Sequence, residues 1–178
     1  MDSDGYLSQL ADIFNGITVN TPSISAIIAI VLAGVLLLAS GFASASEIAF
    51  FSLSPSDRND IDERNHPSDD KISALLGDTE RLLATILITN NFVNVTIIML
   101  CNFFFMNVFV FHSPLAEFLI LTVILTFLLL LFGEIMPKIY SAQKTLTFCR
   151  FSAPGIYFLE KVFRPIATVL VRSTTFLN

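Results

Sequence analysis

Three long stretches of the chain hold almost no charge, and strongly polar segments separate them. The first covers residues 24–53 (ISAIIAIVLAGVLLLASGFASASEIAFFSL), the second 82–111 and the third 115–140. Each exceeds the ~20 residues that a helix needs to cross a ~30 Å hydrocarbon core. Lipid offers the backbone no hydrogen bonds, so a helix, which satisfies its own, is the form each stretch must take. The predicted fold class is therefore an all-α integral membrane protein with three transmembrane helices. Past Pro137 the pattern becomes amphipathic. Phe151, Ile156, Phe158, Val162, Phe163, Ile166, Val169 and Leu170 alternate with Lys161, Arg164 and Arg172. That composition predicts a juxtamembrane helical segment over 149–178 at the cytoplasmic face, interrupted at Pro154 and Pro165. A fourth span competes with this reading, but Glu160, Lys161 and Arg164 fall in the middle of the stretch.

Between the first two spans, residues 54–80 form a cytoplasmic loop with a short helical stripe at Ile72, Leu75 and Leu76. Residues 1–22 contain Asp2, Asp4 and Asp12 but no Lys or Arg, unlike a secretory leader with its basic start. Tyr6, Leu7, Leu10, Ala11 and Phe14 give that segment the spacing of a short amphipathic helix.

Charge fixes an expected orientation. The 178 residues include ten Lys and Arg. Arg58, Arg64, Lys71 and Arg81 border or lie in the first loop, and Lys138, Lys144, Arg150, Lys161, Arg164 and Arg172 lie at or beyond the end of the third span. Three crossings put both groups on one side, which the positive-inside rule makes the cytoplasm. The N-terminus and the turn at His112, Ser113 and Pro114 then face outward, in a bacterial inner membrane. Only 14% of residues are charged, against roughly 25% in a soluble domain. A net charge of −5 argues against nucleic acid as a partner. Cys101 and Cys149 are too few for a disulfide framework or zinc site and read as packing residues.

Polar groups inside the spans carry the candidate chemistry, because each is costly in lipid unless it finds a partner. Ser40 and Ser44 are four apart and share a helix face, with Gly41 beside them and Glu47 one turn on. Asn90 and Asn94 repeat the spacing on the second span, flanked by Thr89 and Asn91. The third span ends in Gly133–Glu134–Ile135–Met136–Pro137–Lys138. Pro137 has no N–H to give the carbonyl of Gly133, which leaves an oxygen next to a carboxylate. A rise of about 1.5 Å per residue puts Ser44, Asn90 and Glu134 each about 14 Å from the inner end of its span. Hard oxygens alone meet at this depth, a set that suits Mg²⁺ or Ca²⁺ rather than zinc or copper, with Na⁺ also a candidate. The plainer alternatives are small residues packing helix on helix, an interhelical hydrogen-bond network, and a Glu134–Lys138 ion pair at i,i+4.

SGFASASEIAFFSLS, ITNNFVNV and GEIMPK, in this order and spacing, resemble the transmembrane domain of the CorC/CNNM (cyclin M) family of magnesium transporters. The resemblance runs from about Ser23 to Arg172. It implies three transmembrane helices over 23–148, a juxtamembrane helical belt, and a homodimer in which each protomer binds a largely dehydrated, cytoplasm-facing Mg²⁺. By motif, Ser40, Ser44, Asn90, Asn94 and Glu134 are the implied ligands, with Gly133 and Pro137 in support and Lys138 as the motif lysine. Coupling of Mg²⁺ export to Na⁺ is implied by the family alone. Relatives continue into cytosolic CBS domains, which this sequence does not contain, so the chain is expected to be part of a longer protein.

Two rivals stand beside transport. One is a membrane scaffold or divalent-cation sensor whose polar patch stabilises a homodimer. The other, an enzyme, has little to support it: His66 and His112 lie in loops on opposite sides, and no nucleophile–base pair or phosphate-binding glycine loop is present, so the expectation is no catalysis.

Overall fold

The computed structural model describes residues 18–111 and 113–175. The amphipathic stripe expected at Tyr6–Phe14, and His112, lie outside the described residues. The first span forms helix α1, Ile24–Phe51, opened by Ser23, whose hydroxyl accepts from the Ala26 N–H at 3.2 Å. The second forms α4, Thr79–Val108, opened by Asp78, whose carboxylate accepts from the Arg81 N–H. The third starts as α5, Pro114–Leu128, widens into a π-helical turn at Leu129–Ile135, and resumes as α6, Met136–Gln143. All three are long and apolar enough to cross a membrane.

Between the first two spans, α2 (Pro55–Asp62) and α3 (Asp69–Leu76) order the loop. Ser54 and Asp57 close a reciprocal capping box on α2, with Pro55 in its first turn, where its missing N–H costs nothing. Helix α7, Thr145–Thr175, runs as one element with Pro154 and Pro165 inside it, where the sequence predicted two interruptions. Packing overrides propensity here. Ala153 and Ile156 on either side of Pro154 are fully buried, so burial holds the helix through the lost backbone bond.

Helix α1 is the axis of the bundle and packs against α4, the π turn, α6 and α7. Two apolar cores form along it. One lies within the spans and joins Ala33, Val93, Ile97, Cys101 and Leu125. The other lies at the end of the bundle that carries the loop and includes Phe50, Ile72, Leu75, Leu82, Cys149 and Ile156. At the opposite end a two-residue ribbon, β1 (Thr18–Val19) against β2 (Phe109–Val110), pairs Thr18 with Val110 and Val19 with Phe109. Asn107 Oδ1 accepts from the Ser23 N–H at 3.1 Å and ties the start of α1 to the end of α4. No alternation of residues announces this ribbon, whose strands are too short to show one.

One ion pair locks the loop to α7. Arg150 grips Asp69 with both ends of its guanidinium, Nε to Oδ1 at 2.8 Å and Nη2 to Oδ2 at 3.0 Å. Asp69 is wholly buried, and its Oδ2 also accepts from the His66 N–H at 2.9 Å. Burial works against ionisation of Asp69. The Arg150 hydrogen bonds and charge, with the His66 N–H, outweigh it and hold the carboxyl below its ordinary range. Next to it, burial pushes the Cys149 thiol up to about 12, which fits a packing residue rather than a reactive one.

Arg150→Met is predicted to leave Asp69 buried and unpaired and to lower unfolding stability by about 2–4 kcal/mol, measured by thermal melts in detergent. The Asp69 carboxyl sits lower in the folded state than in the unfolded chain. Its contribution is therefore fully present above pH ~4 and fades as pH falls through the folded value. The wild type should lose this share of stability only on strong acidification, and Arg150→Met should remove that acid dependence.

Candidate functional site

Four of the residues singled out by spacing meet between α1 and α4. Ser40 Oγ lies 2.9 Å from Asn90 Oδ1 and 2.6 Å from Asn94 Oδ1, and Ser44 Oγ lies 3.5 Å from Asn90 Oδ1. Both serines are wholly buried, and both asparagines are half-buried. The i,i+4 spacing makes this possible, since each pair forms a short column and the two columns face each other.

A serine hydroxyl has one hydrogen, so with both amide oxygens turned towards Ser40 it serves one of them at a time. The two hydroxyls and two amide oxygens converge in this cluster as hard oxygen atoms of the kind that Mg²⁺ or Ca²⁺ takes as ligands. Thr89 does not join it, because its hydroxyl donates to the Thr85 carbonyl at 2.8 Å. The Thr85 hydroxyl itself is buried with no hydrogen-bond partner among the described residues, a feature that nothing in the sequence pattern set apart from its neighbours.

The third span reaches the cluster through glycine. A Cβ on Gly133 would stand 3.1 Å from Ser40 Oγ, so the main chain of the π turn runs directly against the buried serine. Reciprocally, a Cβ on Gly41 would stand 2.9 Å from Pro137 Cγ and 3.3 Å from the Phe132 carbonyl oxygen. Pro137 explains the wide turn. In a regular α-helix its ring would press on the Gly133 carbonyl and leave it unbonded. The chain instead shifts register, and Met136 N–H donates to the Leu131 carbonyl, five residues back. Ser141 then donates to the Ala45 carbonyl at 2.7 Å and pins α6 to α1.

Glu134 follows Gly133 on this turn and is half-buried. It forms no hydrogen bond or ion pair with the four oxygens or with any other described residue. The i,i+4 pairing with Lys138 does not form. Lys138 Nζ reaches across to Glu47 on α1 at 3.0 Å instead. This pair was not legible in one dimension, since its members lie 91 positions apart. It has two consequences: Glu134 is left without an ion-pair partner among the described residues, and Glu47, which the spacing suggested as a cation attractor, is paired with a lysine. Among the described residues no three His, Cys, Asp or Glu side chains cluster as a metal site would require. Any ion held here rests on neutral oxygens with one carboxylate nearby.

Residues 28–178 match the family model described as the cyclin M transmembrane N-terminal domain. The UPF0053 protein sll1254 of Synechocystis sp. is 26% identical over 140 residues, which is 79% of this chain. The chain spans 39% of that relative's length.

Gly41→Ala is predicted to force the π turn away from α1, because the added methyl meets a proline ring and a carbonyl rather than a flexible chain end. Its melting temperature in detergent, followed by far-UV circular dichroism, should fall by several degrees. Gly34→Ala, on the same helix with nothing within 4 Å of the added carbon, should be neutral or stabilising by up to about 1 kcal/mol.

Proposed function

The chain belongs to the cyclin M transmembrane family, and on that premise we infer that it moves Mg²⁺ across the membrane through the oxygen cluster between α1 and α4. The observation that carries this reading is the convergence of the Ser40, Ser44, Asn90 and Asn94 oxygens between two spans, together with a carboxylate on the adjoining turn that has no ion-pair partner among the described residues. Ser40, Ser44, Asn90 and Asn94 would replace water around the ion, and Glu134 would supply the charge. Mg²⁺ sheds water reluctantly and demands near-octahedral geometry. The ligands therefore need to be held in place beforehand, as the Gly41–Pro137 and Gly133–Ser40 contacts hold them. One carboxylate and several neutral oxygens make a site from which an ion can also depart, as a transported ion must. The basic residues beside the loop make that end cytoplasmic, so the cluster faces inward, and the N-terminus lies outside. Export, and its coupling to Na⁺, follow the family resemblance.

The π turn is where the site can change. Its shifted hydrogen-bond register is a local alternative to the α-helical one, and such turns recur at functional positions in helices. A change of register would move Glu134 and Gly133 relative to Ser40 while leaving the α1–α4 contact intact.

A second copy of the chain completes the reading. On α4, Asn91, Val95, Ile98 and Asn102 lie at i, i+4, i+7 and i+11, on one face. Both amides are exposed, as are Thr122 and Thr126 on α5. Asn102, Thr122 and Thr126 line a groove of about 340 Å³ with Glu117 at its outer end. Amides facing hydrocarbon need partners, and the same stripe on a second protomer supplies them about a two-fold axis.

Calorimetry on the purified domain tests the ion site. The wild type is expected to bind Mg²⁺ saturably, while Glu134→Ala and Asn90→Ala/Asn94→Ala lose that binding with the dimer mass unchanged. No binding by wild type, or binding by both variants alongside dissociation, would make the cluster a dimer scaffold and end the transport reading. Separately, Asn91→Leu/Asn102→Leu is expected to shift mass measured by light scattering from dimer towards monomer. An unchanged dimer would place the interface elsewhere.

A further inference from the structure

Where α7 crosses the start of α4, a cleft of about 240 Å³ is lined by Ala74, Arg81, Tyr157, Glu160, Lys161 and Arg164. Tyr157, Lys161 and Arg164 lie at i, i+4 and i+7 and form one stripe on α7. Arg81 enters from α4. Its Nη2 holds Asp78 at 3.2 Å, and its Nε is buried with no hydrogen-bond partner among the described residues. Neither Lys161 nor Arg164 forms an ion pair among the described residues. The lining thus holds three cations against one carboxylate, Glu160, with Asp78 next to Arg81. Burial pushes the Glu160 carboxyl upward, while Arg81 and Arg164 pull it back and Asp78 adds to the rise.

A second stripe runs beside the first, offset by one residue. Phe158, Val162 and Ile166 are all exposed, and Phe151 extends the same face two turns beyond. An apolar face bordered by a cationic cleft at a membrane boundary matches one kind of molecule, which carries a negative head on hydrocarbon tails. The opposite face of α7, with Cys149, Ala153 and Ile156, is already buried in the core at the loop end. The helix therefore presents Phe158, Val162 and Ile166 away from the protein.

We propose that this cleft binds the phosphate of an anionic phospholipid, with its acyl chains lying along Phe158, Val162 and Ile166. Lys161 and Arg164 meet the headgroup from α7, and Arg81, whose side chain is partly exposed, meets it from α4. The lipid would then link the amphipathic helix to the start of the second span, which carries Asn90 and Asn94 two to three turns further on.

Native mass spectrometry of the chain in mixed micelles tests this, with dioleoyl-phosphatidylglycerol and dioleoyl-phosphatidylcholine as the probes. Wild type is expected to retain phosphatidylglycerol over phosphatidylcholine. Lys161→Gln/Arg164→Gln is expected to lose that preference about tenfold or more, from roughly fivefold per cation at a lipid surface. Arg58→Gln/Lys71→Gln removes the same charge from exposed positions in the loop and is expected to retain the preference. The proposal is overturned by equal retention of the two lipids, or by equal losses in the two double variants. Displacement of phosphatidylglycerol by millimolar inorganic phosphate or ATP would also overturn it, and would give the cleft to a soluble anion. Because none of these outcomes depends on Mg²⁺, the result stands apart from the fate of the ion site.

Discussion

Hydrocarbon offers no hydrogen bonds, and the close approach of α1 to the third span follows from that constraint. Pro137 would leave a carbonyl unbonded at depth, and the chain answers with a π turn. The wide turn needs room, and Gly41 gives it by leaving space where a side chain would meet the Pro137 ring. Gly133 returns the favour and lets main chain run against Ser40. Two glycines and a proline thereby set the distance between α1 and the third span, and that distance brings the main chain of the π turn up to Ser40. The serine–asparagine contacts themselves lie between α1 and α4 and follow from the spacing of their own residues.

Charge is distributed with the same economy. Among the described residues two ion pairs join distant segments, and they act differently. Arg150–Asp69 is buried and hydrogen-bonded at both ends, so it fixes the loop helices to α7. Lys138–Glu47 is about one-third exposed at each partner, where an ion pair contributes little to stability. Its effect is on partner choice. With Lys138 engaged by Glu47, the lysine four residues from Glu134 does not pair with it, and Glu134 has no ion-pair partner among the described residues.

Helix α7 packs against both the first and the second span. Its buried face closes the core at the loop end, its apolar stripe points outward, and its basic stripe borders both. A helix arranged this way can report the state of the lipid surface to the start of α4, and α4 carries both asparagines. Packing around Ala153 and Ile156 keeps α7 continuous through Pro154, so a push at one end is not absorbed by a break.

The sequence by itself determined the three spans, because unbroken apolar length has one structural solution in a bilayer. It also determined which residues share a face, because the helical period places Ser40 with Ser44 and Asn90 with Asn94 regardless of context. Pro137 announced a disturbed helix. The tertiary structure alone decided that these columns face each other, that the disturbance is a π turn, and that Lys138 turns to Glu47. It also decided that Asp69 meets Arg150, that a strand ribbon ties the far ends of α1 and α4, and that α7 survives its prolines. These are contacts between residues dozens of positions apart. A periodicity carries no information about them, since it fixes the direction of a side chain around its own axis and not which neighbour stands there.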